Sequence, residues 1–141
     1  MVFVWCRIGV LISNQKSMAK YVDGFVLVVP KKNLAAYKKM AKDGGKTLKK
    51  FGALDYKECL IDDKKPPHAA LHFEKMTKAK PDEVVIFSFI TFRSKAHRNQ
   101  VNKKVMAYFE KKYTDPKDMA MPFDMKRMAY AGFTPFVDMG A

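Results

Sequence analysis

Residues Val84 to Phe92 read VVIFSFITF, a β-branched and aromatic run with no glycine, proline or charge. In a strand, successive side chains point to opposite faces, so Ile86, Ile90 and Phe92 fall on one face and Phe87 and Phe89 on the other. A strand that is apolar on both faces belongs in the middle of a sheet, with a layer on each side. Residues Tyr21 to Val29, YVDGFVLVV, form a second such run, closed by Pro30. Here Phe25, Leu27 and Val29 oppose Val26 and Val28. These two segments are the expected central strands.

The segments around them are of other kinds. Ser94 is a suitable N-cap for a helix whose buried stripe is Val101, Val105, Tyr108 and Phe109. Between the first strand and Leu54, the residues Leu34, Tyr37, Ala41, Leu48 and Phe51 recur at helical spacing, with lysines on the other side. Gly44 and Gly45 weaken that helix and suit a close approach to the sheet, and Gly52 supplies a left-handed cap. Leu54 to Ile61, LDYKECLI, is a more polar strand and suits an edge. Asp62 to Asp82 is expected to be loop, and Arg127 to Val137 is expected to be a last strand, kept to an edge by Pro135. The order strand, helix, strand, strand, helix, strand predicts an α+β, ferredoxin-like βαββαβ domain with a four-stranded antiparallel sheet. Two helices cover one face of such a sheet, so the apolar second face requires a partner.

One candidate partner is RNA. Phe87 and Phe89 lie where stacking rings lie on the central strand of RNA-recognition domains. The basic residue and glycine that open that signature are absent, with Val85 and Ile86 in their place, and this disfavours nucleic acid. The other candidate is a second copy of the chain. The segments YVDGFVLVVPKKNLAAYKKMA, FGALDYKEC, KPDEVVIFSFITFRSKAHRNQVNKKVM and MPFDMKRMAYAGF resemble the YbaA-like family of small bacterial proteins of unknown function. The resemblance runs from Tyr21 to the C-terminus. It departs at Met125 and Ala131, where glycines are usual, and in the loop from His68 to His72. It implies a dimeric α+β barrel, two ferredoxin-like units packed sheet against sheet. The expected interface residues are Phe25, Leu27, Phe87 and Phe89. It also implies a cavity, between sheet and helices or inside the barrel, that binds or transforms a small organic molecule.

The 141 residues suit one domain, expected over 18–141. Met18 directly precedes the first strand pattern, so residues 1–17 are expected to be a dispensable extension. Their apolar run is interrupted by Arg7 and Gly9 and is too short to span a membrane. Cys6 and Cys59 form neither a disulfide framework nor a zinc spacing, which favours a cytoplasmic, reducing location. A net charge of +13 favours acidic ligands or polyanions without establishing either.

The candidate pocket residues are polar groups near strand ends: Tyr21, Asp23, Arg93, His97, Asp124 and Arg127. Asp23 shares a face with Tyr21 and Phe25, taken as the dimer-covered face, and a buried acid there needs a partner. Arg127 is expected to pair with Asp23 or Asp124. His97 is a candidate general base, although a solvated helix-surface histidine is the plainer reading. His68 and His72 stand four apart, but Pro66 and Pro67 argue for loop and no third ligand is evident, so no metal is expected. No phosphate-binding loop, dinucleotide fingerprint or nucleophile elbow occurs, and no cofactor is expected.

Overall fold

A computed structural model describes residues 20–140, so the expectation for residues 1–17 lies outside the described residues. The elements are β1 (Tyr21–Pro30), α1 (Leu34–Lys50), β2 (Asp55–Leu60), α2 (Phe73–Thr77), β3 (Glu83–Phe92), α3 (Lys95–Lys112) and β4 (Ala129–Phe133). The four strands form one antiparallel sheet in the order β2-β3-β1-β4, with the two doubly apolar strands in the centre. This is the ferredoxin-like α+β arrangement. Among the described residues, no helix is long and apolar enough to cross a membrane.

The register decides which side chains share a face. In an antiparallel pair, directly opposed residues point the same way. Tyr21 opposes Phe92, Asp23 opposes Ile90, Phe25 opposes Ser88 and Leu27 opposes Ile86. These residues make the face under the helices. At one end Tyr21, Ile90 and Phe92 pack with Leu48 of α1 and Val101 of α3. At the other, Leu27, Val29 and Ile86 pack with Tyr37 and Ala41 of α1. Phe92 is wholly buried, and removing such a ring typically costs about 3–5 kcal/mol.

The opposite face carries Gly24 beside Phe89, Val26 beside Phe87 and Val28 beside Val85. Val28 and Val85 are buried, and α2 packs on β1 and β3 at that end. The rest of this face has no covering layer among the described residues, and Phe87 and Phe133 are left exposed on it.

Local chemistry explains the element ends. Ser94 is extended, and its hydroxyl accepts from the His97 backbone N–H at 3.0 Å, opening α3 as an N-cap. Gly52, at φ +117°, follows the last turn of α1. Gly45 is needed for packing, because a Cβ there would stand 2.6 Å from the Tyr56 ring, whereas Gly44 faces open space. Two expectations are corrected. The region between β2 and β3 contains the short helix α2, and β4 spans only Ala129–Phe133. Met125–Arg127 forms a 3-10 turn instead, set by the Asp124 carboxylate accepting from the Lys126 N–H, and Pro135 lies beyond the strand.

Candidate functional site

The six candidate pocket residues do not converge. Tyr21 and Asp23 stand on the helix side of β1, near the start of α3. Asp124 and Arg127 gather at the other end of the sheet around Glu83, which opposes Pro30. Arg93 is exposed, and its backbone N–H donates to His97 Nδ1 at 3.2 Å.

The partner of Asp23 is Arg98, a residue not anticipated from sequence. Asp23 is 1% exposed, and its Oδ1 lies 3.8 Å from Arg98 Nε. That is too long for a hydrogen bond, and both atoms lack another partner. Arg98 Nη2 donates to the Tyr21 hydroxyl at 3.0 Å and Nη1 to the Tyr130 hydroxyl at 2.9 Å. The guanidinium also stacks 5.0 Å from the Tyr21 ring centre. Tyr130 in turn stacks on Phe25 at 4.6 Å. Burial pushes the Asp23 carboxyl above the usual carboxylate range, while Arg98, Tyr130 and Asn102 favour its charged form. The network ties β1 and β4 to α3.

Arg127 pairs with Asp124, one of its two expected partners, and not with Asp23. Its guanidinium grips both oxygens of buried Glu83, at 2.6 and 2.9 Å, and its Nε donates to Asp124 at 2.9 Å. A bidentate pair of this kind fixes the turn before β4 to the start of β3. His97 is buried, with its ring against Phe92 at 6.1 Å and Gly52 close to Nε2. Burial, followed by the charges of Arg93 and Lys104, lowers its pKa. His97 therefore packs as a neutral imidazole, its Nδ1 accepting from the Arg93 N–H, and it lines neither the groove between α1 and α3 nor the pocket beside α2. His68 lies in a turn and His72 at the N-cap position of α2, so the two do not share a helix face.

A large opening lies elsewhere, between α1, α3 and the β2 edge. It is a groove of about 1010 Å³ lined by Met40, Met106, Phe109, Met119 and Met121, with Tyr56 and Glu58 also in its wall. Tyr56 and Glu58 both oppose helix-side residues of β3, which turns them toward α1. The Tyr37 hydroxyl donates to Glu58 Oε2 at 2.7 Å and the Tyr56 hydroxyl to Oε1 at 2.6 Å. Burial, reinforced by Glu58, pushes both phenols far above their ordinary range, so they remain donors. Each carboxylate oxygen keeps further acceptor capacity. A carboxylate of fixed orientation inside an apolar groove can accept a hydrogen bond or ion pair from a ligand. The lysines Lys39, Lys42 and Lys46 stand around it on α1.

The expected interface set is also split by the register. Phe87 and Phe89 lie on the open face, their ring centres 5.9 Å apart. Phe25 and Leu27 lie beneath the helices, as do Tyr21 and Asp23, so none of these four belongs to the uncovered face.

The sheet order, the two long helices α1 and α3 on one face and the groove between them and the sheet define a ferredoxin-like α+β domain with a candidate binding cavity. Within that class, the chain belongs to the family described as "Protein of unknown function (DUF1428)", which matches residues 20–125. It is 40% identical over 123 residues to the "Uncharacterized protein YbaA" of Escherichia coli (strain K12), a match covering 84% of this chain and 98% of that relative. The proteins of the same description from Escherichia coli O157:H7 and Shigella flexneri match with the same figures. The resemblance read from the sequence blocks is thereby shown. Tyr37, Tyr56, Glu58 and Arg98 all fall inside the matched region.

Proposed function

We propose that the protein binds a small organic molecule in the groove between α1 and α3 and works as a homodimer paired through the open sheet face. The observation that carries the binding reading is Glu58, held by two tyrosine hydroxyls in the wall of an apolar groove of about 1010 Å³. Cavities of this order accommodate drug-sized ligands, with few polar groups fixing orientation. The ligand that fits has an apolar body and a hydrogen-bond donor directed at Glu58. The dimer reading is supported by Phe87, 44% exposed on a central strand, with Phe133 exposed on the same face.

A thermal-shift screen of donor-bearing and donor-free compounds tests the binding reading. Donor-bearing hits are expected to stabilise the wild type and to bind Glu58→Gln about tenfold more weakly, the equivalent of ~1.4 kcal/mol. A screen without hits, or hits indifferent to Glu58, would sink it.

A second reading, RNA binding by the open face, is favoured by one feature. Phe87 and Phe89 are adjacent, and Lys57 Nζ lies 5.6 Å over the Phe89 ring. Binding through phosphates weakens steeply with salt, whereas an apolar groove ligand is much less sensitive. Titration of single-stranded RNA at low and high salt separates the two readings.

A further inference from the structure

Beyond β4 the chain continues through residues 134–140, in which Phe136 is 97% exposed, Met139 93% exposed and Val137 also exposed. Three apolar side chains within so short a stretch are unusual on a free surface. A second exposed apolar feature lies on the open sheet face. It is a pocket of about 430 Å³ lined by Cys59, Leu60, Leu71, Phe73, Val85 and Phe87, among others. The loop around α2 walls it on one side and the sheet on the other.

The two features occupy diagonally opposite corners of the sheet. The pocket sits on the β2 edge, at the end where Leu60 opposes Ile86. The tail leaves the β4 edge at the other end, where Phe133 opposes Val22. Strands spaced about 4.8 Å apart put three spacings between those edges, so a tail reaching its own pocket would have to cross the sheet face. A two-fold axis lying in the interface along the other diagonal exchanges the two corners. Such an axis crosses the strands of the two sheets steeply, as in the orthogonal class of sheet packing. Charge agrees with this arrangement. The chain has 27 lysines and arginines, yet none lies between Ala129 and Ala141, so the tail approaches another basic copy with little like-charge repulsion.

We infer that each copy's tail seats Phe136 in the apolar pocket at the far corner of its partner's sheet. The inference rests on the dimer reading above and adds to it a reciprocal exchange in which each pocket is completed by the other chain. In a two-fold assembly the contact occurs twice.

The test uses the full chain with Cys6→Ser, which leaves Cys59 in the pocket as the native thiol, and adds Val137→Cys beside the intact Phe136. A short bismaleimide then reports proximity, with light scattering run in parallel. Docking places the tail thiol at about millimolar effective concentration, so at ~10 µM protein the link should form on the order of a hundredfold faster than by collision. The expected result is a dimeric mass and a rapid interchain link, lost with Cys59→Ser and strongly slowed by Phe136→Ala. A dimeric mass with a slow link, or with one that survives Cys59→Ser, would overturn the tail seat and leave the dimer reading standing. An intrachain link would overturn the exchange by showing the tail on its own pocket. A monomeric mass would overturn both.

Discussion

Asp23 and Arg98 illustrate what single residues contribute and how far sequence reveals them. A buried acid on a central strand is legible, because Asp23 interrupts an otherwise apolar run. Its partner is not. Arg98 sits among Lys95, Lys103 and Lys104 and reads as a solvated helix residue, until α3 is laid across the β1–β4 pair. The same limit hid Glu58. Tyr56 and Glu58 share a face by strand alternation and Tyr37 lies in the apolar stripe of α1, but their meeting depends on where that helix lands. Asp23→Ala leaves Arg98 without its counter-charge, and the expected loss is about 3–5 kcal/mol in urea unfolding. Unchanged stability would show that Asp23 is not held by a structural pair. His97 gives a pH prediction. Burial lowers its folded-state pKa, so between about pH 6.5 and that lowered value the unfolded chain binds more protons and stability falls as pH falls. Wild type is expected to lose this increment as pH falls below about 6.5, and His97→Gln is expected to lack it. Parallel pH profiles for the two proteins would contradict the buried neutral imidazole.

At the scale of elements, sequence succeeds where the determinant is local. Ser94 caps α3 by a bond to the backbone three residues on, and Gly52 takes the left-handed conformation just after α1. It fails where a short element is made by its surroundings. α2 spans five residues, too few to be stable alone, and exists because it packs on the open face at the β1–β3 end. Likewise β4 ends at Phe133, where its pairing to Val22 ends. The adjacent glycines of α1 separate helix propensity from packing. Gly44→Ala meets open space and should gain up to ~1 kcal/mol of stability from propensity. Gly45→Ala drives a Cβ into the Tyr56 ring, which is anchored by Glu58, and should lose about 1–3 kcal/mol. Thermal melts of the pair check this, and equal effects would mean that α1 does not press on β2 at Gly45.

Across the whole molecule, the strand order follows from the two doubly apolar segments, but the membership of each face does not. Alternation sorts residues within one strand, and a shift of one residue in cross-strand register exchanges the sets. For that reason alternation alone groups Phe25 and Leu27 with Phe87 and Phe89, whereas the register puts them beneath the helices. The uncovered strip instead runs through Phe87, Phe89 and Phe133. Phe87→Asp should convert a dimeric scattering mass to a monomeric one, since a charge at the centre of an apolar interface is costly. A mass unaffected by that change would place any association elsewhere. The groove on the other side of the sheet is lined by methionines, which give a direct probe of ligand binding there. In protein carrying ¹³C-labelled methionine methyls, screening hits are expected to shift the resonances of Met40, Met106, Met119 and Met121, which line the groove, and to leave Met76 of α2 unmoved. Hits that move Met76 and spare the four groove methyls would contradict ligand binding in the groove.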